Sequence, residues 1–92
     1  MKNVTMFYLK SCPYCRQAFQ MVETLKQDNP QYRDIEIEAI EEQDEEARTA
    51  GYDYWYVPTY FIGKTKVWEG APTLEAVEGV LKQVLMDEKS EI

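Results

Sequence analysis

The stretch of sequence that decides the fold is residues 4–15, VTMFYLKSCPYC. Its first half, residues 4–9, is β-branched, aromatic and apolar, which predicts a β-strand. Pro13 suits the first turn of a helix, because the N–H that proline lacks would have no partner there. Cys12 and Cys15 therefore lie where a strand ends and a helix begins.

The remaining elements follow from periodicity and from turn residues. Apolar residues at helical spacing extend the first helix until residues 28–30, DNP, end it. Further along, the patterns predict strands at residues 34–39, 59–62 and 66–69, a short charged helix at residues 43–50, and a last helix at residues 74–86 with Thr73 as its N-cap. The order is β-α-β-α-β-β-α. We therefore expect an α/β fold with a mixed four-stranded sheet, flanked by three helices, in one domain spanning residues 1–92. Residues 87–92 are polar and are expected to form a flexible tail.

Composition and charge exclude several classes of function. The chain has 92 residues, a formal net charge of −7 and no His. The negative charge argues against partners such as nucleic acids and anionic membranes, and the absence of His excludes Cys-His catalysis. The apolar run at residues 4–9 is too short for a signal peptide, so we expect a cytoplasmic location. Thiols in that compartment are usually catalytic, redox-sensing or metal-binding.

The two cysteines carry the predicted chemistry. Cys12 precedes a helix, where unpaired N–H groups and the helix dipole favour a thiolate, and Lys10 and Arg16 are close in sequence. Cys15 lies one turn further in and is expected to be more covered. We therefore expect Cys12 to attack a disulfide and Cys15 to resolve the mixed disulfide. A structural disulfide or half of a zinc site is the alternative, although zinc needs about four ligands and two thiols supply only half of them.

Two neighbours are expected to support this site. Pro13 removes an amide donor beside Cys12 and stiffens the turn, and Tyr14 offers a hydroxyl or a ring face near the sulfur atoms.

Further along, residues 52–56 contain four aromatic rings, which could bind an extended substrate or pack on the sheet. The acidic run at residues 36–46 is expected to be a solvated face.

Several motifs together resemble the thioredoxin-fold superfamily. Residues 7–15, FYLKSCPYC, resemble the first strand and active site of dithiol glutaredoxins, and residues 57–59, VPT, resemble the cis-proline segment that faces that site. Residues 51–52, 63–64 and 69–71 resemble thioredoxins. The resemblance covers about residues 3–86 and implies a thioredoxin-like fold with the same mixed sheet and three helices.

The resemblance also implies roles for individual residues. Pro58 would be cis, and the backbone of Val57 would pair with an extended peptide or with glutathione. Lys10, Gly70 and Thr73 would contribute to a glutathione site. Residues 69–73, EGAPT, depart from the usual glutaredoxin pattern, because Pro72 lacks an N–H and Glu69 would repel the glutathione carboxylate if it pointed inward.

Two functions from different classes remain open. The first is a thiol–disulfide oxidoreductase that reduces protein or glutathione-mixed disulfides through Cys12 and Cys15. This function implies a monomer without a tightly bound cofactor or metal, recharged by glutathione or by a donor of the thioredoxin reductase type. The second is a glutaredoxin-like module that holds an iron–sulfur cluster or a metal through Cys12 in a dimer.

Overall fold

The computed structural model describes residues 2–90, with side chains for residues 4–86. Its regular elements, in chain order, are β1 (Lys2–Tyr8), α1 (Pro13–Asp28), β2 (Glu36–Glu41), β3 (Thr59–Ile62), β4 (Thr65–Glu69) and α2 (Leu74–Ser90). Short 3₁₀ turns lie at Pro30–Tyr32 and Glu46–Thr49. The strands form a four-stranded sheet in the order β2-β1-β3-β4. As predicted, β1 and β2 are parallel, whereas the hairpin of β3 and β4 is antiparallel.

One face of the sheet carries the main core, because both long helices pack against it. The face of α1 supplies Ala18, Val22 and Leu25, and α2 supplies Val77, Val80, Leu81 and Val84. The strands contribute residues such as Met6 and Tyr60, which pair across β1 and β3 and are both 0% exposed. Thr73 caps α2 as predicted, because its hydroxyl accepts the N–H of Ala76 at 3.0 Å.

The opposite face of the sheet is covered by aromatic side chains from the segment between β2 and β3. Phe7, Ile40 and Phe61 form a second buried cluster on this face. Tyr54 stacks on Phe7 with ring centroids 5.0 Å apart, and Tyr52 meets the same ring edge-on at 4.8 Å. Loop residues therefore cover an area that a helix was expected to cover.

Of the three helices that the sequence predicts, the middle one does not form. Residues 43–50 were expected to be helical, but only Glu46–Thr49 forms a 3₁₀ turn, and none of its residues is buried. A short segment without an apolar stripe has no face to pack on the sheet, so propensity alone does not hold a longer helix.

The boundaries of the other elements differ by small amounts. The second strand lies at Glu36–Glu41 rather than at residues 34–39, so Ile40 and Glu41 join the sheet. At the other end of the chain, α2 continues to Ser90 and includes the described part of the predicted tail. Residues 91 and 92 lie outside the described residues, and the flexibility of residues 87–92 stays a prediction.

Candidate active site

The loop after β1 holds Cys12 at the N-terminus of α1. The N–H of Cys12 donates to the carbonyl oxygen of Leu9 at 3.1 Å, which closes a tight turn. Cys12 is the N-cap residue with extended backbone, and its side chain makes no capping hydrogen bond. Pro13 is the first residue of the helix, as the sequence predicts. The sulfur of Cys12 therefore makes no hydrogen bond to the first N–H groups of the helix and is free to react.

Cys15 lies on the buried face of α1 and differs sharply from Cys12 in environment. Cys15 is 1% exposed, whereas Cys12 is partly exposed, and both are free thiols. Burial is the largest influence on the pKa of Cys15 and raises it. A backbone hydrogen bond from Leu9 lowers this pKa and the neighbouring Cys12 raises it, and the net result is a pKa of about 12. Cys15 is therefore a protonated, covered thiol at neutral pH.

Residues 55–58, which we call the proline loop, precede β3 and lie at the same end of the sheet as the cysteines. The Val57–Pro58 peptide bond is cis, as predicted. Thr59 pairs with Phe7 in the sheet, so Pro58 lies alongside Tyr8, just before the loop that carries Cys12. Within the described residues, neither the N–H nor the C=O of Val57 makes a hydrogen bond. Both groups can pair with an extended chain laid beside them.

Glu69 holds the segment that leads into the cis-proline. One of its oxygens accepts the backbone N–H groups of Trp55 and Tyr56, the latter at 2.8 Å. The other oxygen accepts Lys66 Nζ at 2.7 Å. The bond from Lys66 and the two backbone N–H bonds lower the pKa of Glu69 to about 2. The carboxylate is thus bound to the proline loop and neutralised by Lys66.

Glu41 supports the other side of the site, at the end of β2. It is 5% exposed, and its carboxylate accepts the backbone N–H groups of Lys10 at 2.9 Å, Gln43 at 2.7 Å and Asp44 at 3.0 Å. The bond from the Lys10 N–H is the largest cause that lowers the pKa of Glu41. An ionised Glu41 therefore ties the cysteine loop to the turn after β2.

Three of the residues predicted to bind glutathione, Lys10, Gly70 and Thr73, make other contacts in the structure. Lys10 Nζ forms an exposed ion pair with Asp44 at 3.5 Å. The hydroxyl of Thr73 caps α2. Gly70 donates its N–H to the carbonyl oxygen of Pro58 at 3.0 Å, with a φ of +105° that other residues rarely adopt. Only Gly70 among these three touches the proline loop.

The aromatic run before Pro58 divides into two pairs. Tyr52 and Tyr54 pack on the sheet, whereas Trp55 and Tyr56 are 84% and 70% exposed. Tyr14, between the two cysteines, is also exposed. Large exposed rings thus lie on the cysteine loop and on the segment leading to the cis-proline.

Sequence reasoning missed the roles of Glu41, Glu42 and Glu69. We placed Glu41 and Glu42 in a solvated acidic run, yet Glu41 is buried and Glu42 accepts the Tyr54 hydroxyl at 2.7 Å. Glu42 also raises the pKa of Cys15 by its charge. The available signal was Ile40, an apolar residue inside the acidic run, which indicates that part of this run packs on the sheet.

Among the described residues, no three His, Cys, Asp or Glu side chains come together in a group that could hold a metal ion. Within the same part of the chain, every helix is too short or too polar to cross a bilayer.

Known proteins that are similar to this chain share its fold. The sequence profile of the family described as Glutaredoxin matches residues 4–67. No curated protein matches the chain in sequence. Solved structures with the same fold include a malarial protein (TM-score 0.64, 16% identity, covering 89% of this chain and 94% of that one). They also include a mutant thioredoxin from Halobacterium salinarum (TM-score 0.63, 24% identity, 88% and 72% covered) and thioredoxin 1 from Thermosipho africanus (TM-score 0.57, 21% identity, 90% and 97% covered). The fold is therefore thioredoxin-like, as predicted.

Proposed function

The chain belongs to the glutaredoxin family, and from that membership we propose that it is a dithiol oxidoreductase that reduces disulfides through Cys12 and Cys15. The observation that carries the proposal is the contrast between the two thiols. Cys12 is partly exposed at a helix N-terminus, and Cys15, one turn further along the helix, is a buried thiol that stays protonated at neutral pH. This arrangement suits Cys12 to attack a disulfide, while Cys15 stays protonated until it resolves the mixed disulfide.

The reaction has two exchange steps. The Cys12 thiolate attacks one sulfur of a substrate disulfide, forming a mixed disulfide and releasing the first substrate thiolate. Cys15 then loses its proton and attacks the Cys12 sulfur, so the Cys12–Cys15 disulfide forms and the second substrate thiolate leaves. The two substrate sulfurs gain the two electrons that the cysteines lose.

Protein disulfides are the substrate class that the surroundings favour. The free backbone groups of Val57 can pair with an extended peptide, and the exposed rings of Trp55 and Tyr56 offer contact area beside it. Lys10 and Thr73 are engaged with Asp44 and Ala76, which leaves fewer groups to hold glutathione. Glutathione-mixed disulfides are a second substrate class, and glutathione or a reductase of the thioredoxin reductase type would recharge the protein.

The reduction potential of the Cys12–Cys15 pair tests the proposal first. It is measured by equilibrating the protein with a glutathione redox buffer and trapping the free thiols. A value between roughly −200 and −270 mV supports a working redox couple, with the less negative end favouring glutathione as the donor. A value below about −300 mV indicates an inert structural disulfide and contradicts the proposal.

Two variants test the division of labour between the cysteines. With insulin as a protein disulfide substrate and dithiothreitol as the donor, Cys12→Ser should lose the catalysed reduction completely. Cys15→Ser should still attack and should accumulate a mixed disulfide at Cys12, visible by mass spectrometry. A mixed disulfide on Cys15 in the Cys12→Ser variant, at the wild-type rate, would reverse the assignment.

The cluster-binding alternative is tested on the same preparation. A cluster held by Cys12 between two subunits would give a brown dimer whose absorbance is lost in Cys12→Ser. The oxidoreductase proposal expects a colourless monomer when the protein is purified from cells supplied with iron.

A further inference from the structure

A cavity on the aromatic face of the sheet takes no part in the chemistry described so far. It has a volume of about 370 Å³ and opens to solvent. Two carboxylates, Glu42 and Glu46, and three rings, Tyr52, Tyr54 and Trp55, contribute to its lining, which contains no lysine and no arginine. We call it the acidic cavity, and its walls combine negative charge with aromatic surface.

The two carboxylates of the acidic cavity are not neutralised by basic side chains of the protein. Among the side chains that the structure describes, neither Glu42 nor Glu46 forms an ion pair. Two basic side chains in this part of the molecule are engaged elsewhere, because Lys10 pairs with Asp44 and Arg48 pairs with two other glutamates. The acidic cavity therefore presents negative charge that a cation from outside the protein can meet.

The rings of the acidic cavity suit the same kind of ligand. Aromatic faces attract ammonium and guanidinium groups, and the indole of tryptophan does so most strongly. The protein itself shows this contact, since Lys64 Nζ lies 3.9 Å from the centroid of the Tyr52 ring. Trp55 is 84% exposed, so its indole is accessible to a cation that enters the cavity. Charge and aromatic surface thus favour one ligand, an organic cation.

The acidic cavity borders the end of the sheet that holds the cysteines. The N–H of Glu42 donates to the carbonyl oxygen of Tyr8 at 2.9 Å, and Pro58 lies alongside Tyr8. On the other side of the cavity, Trp55 is the first residue of the proline loop, and Val57 follows two residues later. An extended chain advances about 3.3 Å per residue. A substrate paired with Val57 therefore reaches the cavity with a side chain a few residues from its disulfide.

We propose that the acidic cavity binds a lysine or arginine side chain of a protein substrate, a few residues from the disulfide that Cys12 attacks. This inference rests on the proposed oxidoreductase function and names its substrate class, which is disulfides flanked by basic residues. The net charge of −7 adds a longer-range attraction for such substrates and speeds their encounter with the protein. A metal ion is a poor occupant, because the described residues offer no group of three metal-ligating side chains.

Two coloured peptide substrates that differ only in charge test the proposal. Each is an extended peptide whose single cysteine forms a mixed disulfide with thionitrobenzoate, and the residues around that cysteine are arginines in one peptide and glutamines in the other. The Cys12 thiolate bonds to the peptide sulfur and releases coloured thionitrobenzoate, and Cys15 then releases the peptide thiol. The arginine peptide should react about fivefold faster or more at low salt, and about 0.5 M salt should reduce this preference.

Neutral variants of the cavity carboxylates show where the preference arises. Glu46→Gln should lower the ratio of the two rates by about two- to threefold, and the double variant Glu42→Gln with Glu46→Gln should bring it close to one. The matched control is Glu23→Gln, which removes the same charge from an exposed position on α1 and should keep the wild-type ratio. Equal rates for the two peptides in the wild type, or an equal loss of preference in Glu23→Gln and Glu46→Gln, overturn the proposal.

A binding measurement keeps this inference distinct from the proposed function. A version of the arginine peptide with serine in place of cysteine cannot react, and its binding should change the tryptophan fluorescence of the wild type but not that of Trp55→Phe. If this peptide binds and the glutamine version does not, while no disulfide is reduced, the cavity proposal stands and the proposed function falls. Reduction of both coloured peptides at equal rates, without binding of the serine peptide, contradicts the cavity proposal and leaves the function standing.

Discussion

At the scale of single residues, carboxylates organise this site by binding backbone N–H groups of the loops on its two sides. Glu41 holds the N–H of Lys10 on the cysteine side, and Glu69 holds the N–H groups of Trp55 and Tyr56 on the proline side. Each carboxylate is most effective when ionised, because charge-assisted bonds are stronger than neutral ones. The loops on both sides of the site therefore depend on acids that stay charged.

Acid should weaken the tether made by Glu69. Its pKa is lowered to about 2 in the folded protein, so its stabilisation is complete above the unfolded pKa and is lost as pH falls through the folded value. Glu69→Gln should therefore melt a few degrees below wild type at pH 7, and the gap should close between about pH 5 and pH 2. Melting temperatures recorded across that range measure the effect.

A neutralised exposed acid serves as the control for this experiment. Glu23→Gln changes an exposed residue of α1 and should give melting temperatures close to wild type throughout. A gap for Glu69→Gln that stays constant down to pH 2 would show that the charge of Glu69 contributes nothing.

At the scale of elements, an aromatic segment takes the place of a helix on one face of the sheet. Tyr52 and Tyr54 pack on Phe7 and Phe61, and the Tyr54 hydroxyl donates to Glu42. The next two rings, Trp55 and Tyr56, turn outward. The segment thus has a structural half, Tyr52 and Tyr54, and an exposed half, Trp55 and Tyr56, and the exposed half leads directly to the cis-proline.

Truncating one ring in each half should separate their contributions. Tyr54→Ala should lower the free energy of unfolding by about 2–3 kcal/mol, because it removes a stacked, half-buried ring and a hydrogen bond. Trp55→Ala should change it by less than about 0.5 kcal/mol, since the ring is exposed. Urea unfolding measures both values. Equal losses would mean that the two halves are not distinct.

At the scale of the whole molecule, the last helix completes the core beyond the region that matches the family profile. The match ends at residue 67, whereas α2 supplies Val77, Val80, Leu81 and Val84 to the main core. The sheet and α1 would otherwise expose this apolar face to water, so α2 is required for a stable domain.

Core and surface leucines of α2 should respond very differently to truncation. Leu81 is 0% exposed, and Leu81→Ala should destabilise the protein by about 2–5 kcal/mol. Leu74 is 47% exposed at the start of the same helix, and Leu74→Ala should cost less than about 1 kcal/mol. Urea unfolding of both variants checks the difference, and a small loss at Leu81 would contradict the placement of α2.

Most of the fold could be predicted because its elements have strong local patterns. Strands β1 and β3 and both long helices were predicted within a few residues, and the motif around Pro58 indicated its cis bond. The prediction of the middle helix was wrong, because that charged segment contains helix-forming residues but has no apolar face to pack on the sheet. The positions of Cys12 and Cys15 in the chain likewise predicted that Cys15 would be the more covered thiol.

The sequence by itself determined the order of the four strands and the two long helices, and the strand–loop–helix that carries the two cysteines. These features depend on residues a few positions apart, whose spacing is visible in the chain. Only the tertiary structure decided that Glu69 binds the proline loop, that Tyr54 packs on the sheet whereas Trp55 is exposed, and that Glu41 accepts the N–H of Lys10. Such contacts join residues more than ten positions apart, and they form only when the sheet and its two helices are packed together.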